Sequence, residues 1–191
     1  MHSRTKRIDL NGNDAFRLRS GGGTLVLREA MASPANNVVM RTLEDYASKG
    51  VFRGFSRVSQ KGSKTTYRMQ WHRDQAFELI FDAKALSLRM PCVLPEVPGD
   101  SAMYAHLREF LKSRQAEELP VHRRLDPARA SLKPYNRGGT VALTVKALDG
   151  DVEYATRGLI NLVHEIYLVF LMDGRNYDYM IETFDLDPDH P

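Results

Sequence analysis

Apolar side chains recur at helical spacing between Asp151 and Asp173. Residues three, four and seven positions apart lie on one face of an α-helix, so this repeat predicts a helix that Gly174 ends. Further apolar residues widen the face, which is typical of a helix buried on two sides or shared with a second subunit. We therefore predict that six residues form the core or a dimer contact: Leu159, Leu162, Val163, Ile166, Val169 and Phe170.

The pattern between residues 51 and 92 has a period of two, which is typical of half-buried strands. Tyr67 and Met69 alternate with polar residues and predict one apolar face. In the preceding run, the alternation predicts that Phe55 and Val58 lie on opposite faces. Short turns separate the runs, so we expect an antiparallel meander.

Helix-start signals and further alternation complete the list of elements. Ser33-Pro34 predicts a helix over residues 34–49, and Asp100 or Ser101 predicts one over 100–115. We also expect a short strand near 130–133 and another from Val141 onward, before the long helix.

The predicted fold class is α+β, with an antiparallel sheet meander packed against helices at about 34–49, 100–115 and 151–173. We divide the chain into three parts by composition and pattern. They are an N-terminal arm and hairpin (1–32), a single α+β domain (33–173) and a C-terminal extension with an acidic tail (174–191). Within the extension, the pattern over 177–184 fits either a strand or a helix.

The order of these elements resembles the YbjN family, whose fold is similar to that of type III secretion chaperones. The PCVLP stretch (91–95) before the middle helix and the Gly-Gly pair (138–139) before a late strand and helix contribute to the resemblance. It covers roughly residues 33–173. It implies a small α+β domain that dimerises and binds segments of other proteins, without catalytic residues or a cofactor.

Charge is distributed unevenly along the 191 residues, although the net charge is only +3. Residues 1–75 carry 14 Lys/Arg and 6 Asp/Glu (+8), whereas residues 148–191 carry 2 and 10 (−8). The two ends can neutralise each other within a subunit or across a dimer, or the basic end can contact nucleic acid. The polar N-terminus and the lack of a sufficiently long apolar stretch predict a cytoplasmic protein that does not enter membranes.

No motif predicts catalysis or metal binding, so we expect a non-enzymatic protein without a metal or cofactor. His164-Glu165 lacks the second histidine of a zinc protease, because position 168 is Leu168. Other residue types able to carry chemistry occur in the turn His72-Arg73-Asp74, at the single Cys92 and in the cluster His122-Arg123-Arg124. A pocket that brings His72, His122 or His164 together with carboxylates would favour an enzyme instead.

Basic residues interleaved with an aromatic ring mark two neighbouring strands of the meander. The residues of this predicted binding face are Arg53, Phe55, Arg57, Lys64 and Arg68. Such a face suits an acidic or amphipathic peptide, or single-stranded nucleic acid. The leading prediction is a homodimeric, chaperone-like adaptor that binds a segment of a partner protein. The alternative is a single-stranded nucleic-acid-binding module.

Overall fold

A computed structural model describes residues 33–121 and 123–186. The predicted N-terminal arm and hairpin, the side chain of His122 and the end of the acidic tail lie outside the described residues. Within the described ranges, no helix is long and apolar enough to cross a bilayer.

Four α-helices are present in the described chain, and a capping side chain begins three of them. Ser33, Ser101 and Asp151 each accept a hydrogen bond from the backbone N–H three residues further on, over 2.9–3.3 Å. Such caps satisfy N–H groups that have no partner inside the helix. The helices are α1 (Pro34–Ser48), α2 (Ala102–Ser113), α3 (Val152–Glu165) and α4 (Tyr177–Phe184). The segment that fitted a strand or a helix is therefore helical.

Six antiparallel strands form one sheet, so the α+β fold class predicted from the sequence is confirmed. The strands are β1 (Gly54–Lys61), β2 (Lys64–Gln70), β3 (Ala76–Asp82), β4 (Ser87–Leu94), β5 (Ala130–Arg137) and β6 (Thr140–Ala147). Their order in the sheet is β1-β2-β3-β4-β6-β5. Strand β6 thus lies between β4 and β5, and β1 and β5 are the edges of the sheet that the described residues form. Strand β5 is longer than predicted.

One face of the sheet, called here the inner face, carries the core. Tyr67, Met69 and Trp71 are buried there, as the alternation predicted. Helix α3 packs against β4 and β6 on this side and also contacts α1. The two helices are joined by a hydrogen bond from the Tyr46 hydroxyl to Asn161 Oδ1 (2.9 Å).

The long predicted helix changes its geometry after Glu165. Residues Ile166–Phe170 form a π-helical turn, in which the N–H of Leu171 donates to the carbonyl of Ile166 (2.9 Å). A wider turn rotates the side chains that follow it out of the α-helical register. Of the six residues predicted for the core or a dimer contact, five are buried within the chain: Leu159, Leu162, Val163, Ile166 and Phe170. Val169 is not part of the core, because it is 43% exposed, beside Leu168.

Helix α4, which lies in the predicted C-terminal extension (174–191), packs on the same core. Met180 is buried, and the Tyr179 hydroxyl donates to the carbonyl of Pro95. The ring of Phe184 lies 5.9 Å from that of Tyr167. Residues 177–184 are therefore part of the packed unit.

Candidate functional site

The five residues of the predicted binding face are divided between the two faces of the sheet. Phe55 pairs with Met69 across β1 and β2, and partners in such a pair point to the same side. Phe55 therefore belongs to the inner face, where its ring stacks on that of Tyr67 at 5.8 Å. Arg57 pairs with Tyr67 and shares this side, although it is exposed. A bulge at Val58 separates the two halves of β1 and leaves Val58 exposed.

Lys64 and Arg68 lie on the opposite, outer face, and two of the four predicted cations form ion pairs with carboxylates. Arg53 Nη1 lies 2.6 Å from Asp74 Oδ1, and Arg68 Nη2 lies 2.8 Å from Glu78 Oε1. Both pairs are largely exposed, so each contributes little to stability. The five residues do not form one continuous basic surface.

The outer face of the whole sheet is nevertheless strongly basic. The register places seven cations there: Lys61, Lys64, Arg68, Arg89, Lys133, Arg137 and Lys146. Glu78 and Asp82 are its carboxylates in the described chain. Among these cations only Arg68 makes an ion pair with a described residue. The described helices that contact the central strands do so from the inner face, so these side chains are open to solvent.

The greatest density of unpaired charge surrounds Thr144 on β6. Arg89 and Lys133 are its cross-strand neighbours on β4 and β5, and Lys146 lies two residues further along β6. Neighbouring strands are about 4.8 Å apart, so Arg89 and Lys133 start from backbones roughly 10 Å apart. Tyr135 extends this area because it is 56% exposed and follows Lys133 on the same face of β5.

The opposite side of β5 borders a groove of about 450 Å³. Its lining from β5 is Leu132 and Pro134, and helix α2 forms the other wall. The α2 side of the groove is lined by Ala105, Arg108, Glu109, Leu111, Lys112 and Gln115. The groove therefore combines an apolar floor with a rim that carries two cations and one carboxylate, directly beside an edge strand.

A second open pocket, of about 550 Å³, contains two of the histidines considered for chemistry. His72 Nε2 lies 3.3 Å from His164 Nδ1, and the His72 ring stacks on that of Tyr167 at 4.4 Å. Burial, followed by the charges of His164 and Arg73, lowers the pKa of His72 to about 3. Burial also lowers the pKa of His164. Both rings are therefore neutral at pH 7, and one donates a hydrogen bond to the other.

This pocket lacks the additional groups that most hydrolytic or metal sites use. Its carboxylate, Asp74, is paired with Arg53, and no serine or cysteine lines it in the described part of the chain. Within residues 33–121 and 123–186, no group of three or more His, Cys, Asp or Glu residues could hold a metal ion. Glu165, next to His164, instead binds Arg114 (3.0 Å) and Arg123 (2.6 Å).

Cys92 remains a free thiol on the surface, and burial of its sulfur raises its pKa. It is absent from the linings of the two pockets that border Leu132 and His72. A raised pKa disfavours the reactive thiolate at neutral pH. This arrangement gives no support to a nucleophilic role for Cys92.

Taken together, the described residues define an α+β protein in which β5, an edge of the described sheet, borders a groove on one side and a basic surface on the other. No family model, curated protein or solved structure matches the chain.

Proposed function

We propose that this protein binds an extended segment of a partner protein along the outer edge of β5. The observation that carries the proposal is the groove of about 450 Å³ between α2 and this edge strand. Edge strands have a row of backbone N–H and C=O groups without a neighbouring strand. Among the described residues, no further strand pairs with β5 on that side.

The unpaired backbone groups of the β5 edge and the groove beside it together suit β-strand addition. Backbone hydrogen bonds from an added strand supply affinity, while alternate side chains of that strand enter pockets and supply specificity. Side chains on the inner side of the added strand would face Leu132, Pro134 and the apolar residues of α2. Arg108 and Lys112 at the rim favour acidic residues in the segment. The resemblance predicted from the order of elements implies the same class of partner, a segment of another protein.

The other edge of the sheet is less suited to the same role. Strand β1 contains the bulge at Val58, and bulges twist an edge away from regular pairing. In β5, Pro134 removes one N–H donor, so an added strand would pair most fully on either side of this residue. A second copy of the chain is the competing occupant of the β5 edge, because β5–β5 pairing would fill the same edge and make the protein a homodimer.

Fluorescence anisotropy with labelled ten-residue peptides tests the proposal. One peptide alternates apolar and acidic residues, and its control alternates apolar and basic residues. We expect the acidic peptide to bind the full-length protein and Leu132→Gln to weaken this binding at least tenfold. The matched control is Val58→Gln on β1, which we expect to leave the affinity unchanged.

Light scattering on the same samples separates a partner from a second copy. A monomer that binds the acidic peptide supports the proposal as stated. A dimer that Leu132→Gln converts to a monomer assigns the edge to self-association. Equal weakening by both variants, or no binding of either peptide, would contradict the proposed site.

A further inference from the structure

We infer that the outer face of the sheet is a binding site for single-stranded nucleic acid, centred on Tyr135 and the cations around Thr144. This surface is separate from the groove, because Leu132 and Pro134 point to the opposite side of β5. The inference therefore does not depend on the proposed function.

The first support is an excess of positive over negative charge among the described residues of the outer face. Seven cations share this face with Glu78 and Asp82 in the described chain. Arg68 forms an ion pair with Glu78 and Lys64 lies opposite Asp82, so the other five have no carboxylate among their described ion pairs or cross-strand neighbours. Asp82 is itself engaged, since its Oδ1 accepts hydrogen bonds from the backbone N–H groups of Lys84 and Ala85. Such a charge balance complements a polyanion whose charges are regularly spaced.

The second support is the position of the exposed ring. Tyr135 lies between Lys133 and Arg137 on the same side of β5, and residues two apart on a strand are about 7 Å apart. Its cross-strand neighbour is Ala142, whose side chain is too small to cover the ring. A row of cation, ring and cation matches the alternation of phosphate and base in a nucleic-acid strand.

The ring also distinguishes among polyanions. An acidic protein segment would use the cations but would gain little from an exposed ring. In a duplex the bases are already stacked and paired, so Tyr135 could not stack on them without opening the helix. A single strand is the ligand that uses both features, and either DNA or RNA supplies the same phosphates and base faces.

The test measures the anisotropy of labelled dT20 and rU20 with the full-length protein at 50 and 200 mM salt. Four phosphate contacts predict a slope of log affinity against log salt of about −2.8, which is about 50-fold over this range. The triple variant Arg89→Gln, Lys133→Gln, Lys146→Gln should bind at least tenfold more weakly at 50 mM salt and show a shallower slope. A control with the same loss of charge removes three exposed cations outside the sheet, two of which are paired with aspartates: Arg41→Gln, Lys49→Gln and Arg175→Gln. We expect this control to retain most of the affinity.

The control matters because residues 1–32 carry further Lys and Arg that could bind nucleic acid by themselves. Binding that both triple variants reduce equally, or that neither reduces, would overturn the assignment to the outer face. Thermal unfolding of each variant confirms that the sheet is intact before affinities are compared.

Tyr135→Ala tests the contribution of the ring separately from that of the charge. Stacking on an aromatic side chain strengthens binding by about 5- to 150-fold per base, so we expect a loss in this range with an unchanged salt slope. An unchanged affinity, equal affinity for a 20-base-pair duplex, or equal competition by polyglutamate would overturn the single-strand assignment. Different affinities for dT20 and rU20 would identify which polynucleotide the site prefers.

Discussion

The two faces of the sheet are built from the same strands but have opposite chemistry. On β6, Leu143 is fully buried against the helix layer, whereas its neighbour Thr144 lies on the outer face among Arg89 and Lys133. The inner face holds the fold together through apolar contact. The outer face contributes few contacts and concentrates like charges, which disfavours folding. The inner-face residues are therefore needed for stability, whereas the outer-face residues are available for binding.

The largest expected contrast between the faces is in core packing. Leu143→Ala should lower the free energy of unfolding by about 2–5 kcal/mol, because it removes buried methyl groups and leaves a cavity. Thr144→Ala, one residue away on the outer face, should lower it by about 1 kcal/mol or less. Urea unfolding followed by circular dichroism measures both. Similar losses for the two variants would mean that the outer face is packed against another part of the protein.

A second contrast between the faces concerns a titratable group on the helix-covered side, His72, whose protonation should change stability. The pKa of His72 is about 3 in the folded protein and about 6.5 in the unfolded chain, so the unfolded state binds the proton more readily. The contribution of the neutral, buried His72 to the free energy of unfolding is fully present above pH 6.5. It is lost progressively as the pH falls toward 3. Between pH 6.5 and 4.5 we expect a loss of about 1–2 kcal/mol, reduced from the ideal value because solvent screens a partly exposed ring.

The measurement for this contrast is urea unfolding at several pH values, followed by the fluorescence of Trp71, whose ring lies 4.4 Å from that of His72. His72→Gln should flatten the dependence on pH over this window. Lys133→Gln, which removes a cation from the outer face, should leave the dependence unchanged. A wild-type stability that is constant between pH 6.5 and 4.5 would contradict the burial of a neutral His72.

Local sequence signals predicted the inner face better than they predicted the outer face. Alternation at Tyr67 and Met69 indicates the buried side of a strand, and a cap residue such as Ser33 indicates where a helix starts. These signals depend on neighbours along the chain. For Phe55 the alternation was weak, and the pairing register with β2 decided which side faced the core, because a shift of one residue reverses that choice.

The outer basic surface depends on the order of the strands in the sheet, which local sequence patterns do not predict. Arg89 and Lys133 meet only because β6 inserts between β4 and β5. One local signal was present, since Lys133, Tyr135 and Arg137 alternate along β5, but the predicted strand ended too early to include it. His72 and His164 likewise come together from distant parts of the chain through packing of the helix layer.

The smallest expected effect has the opposite sign to the first. Lys146 has no described carboxylate partner and lies diagonally across the strands from both Arg89 and Lys133. Repulsion among these like charges therefore destabilises the folded protein. Lys146→Gln should therefore raise the free energy of unfolding by a few tenths of a kcal/mol at low salt. The gain should disappear at 1 M salt, where charges more than about 3 Å apart are screened.

Arg68→Gln is the matched control, because Arg68 lies on the same face but is paired with Glu78. Its removal should leave stability unchanged or lower it by up to about 1 kcal/mol. If Lys146→Gln instead destabilises the protein at low salt, the cations around Thr144 support the fold and are not surplus charge. With dT20 present, the wild type should become more stable than Lys146→Gln. A ligand that binds only the folded state stabilises the wild type more than a variant that binds the ligand weakly.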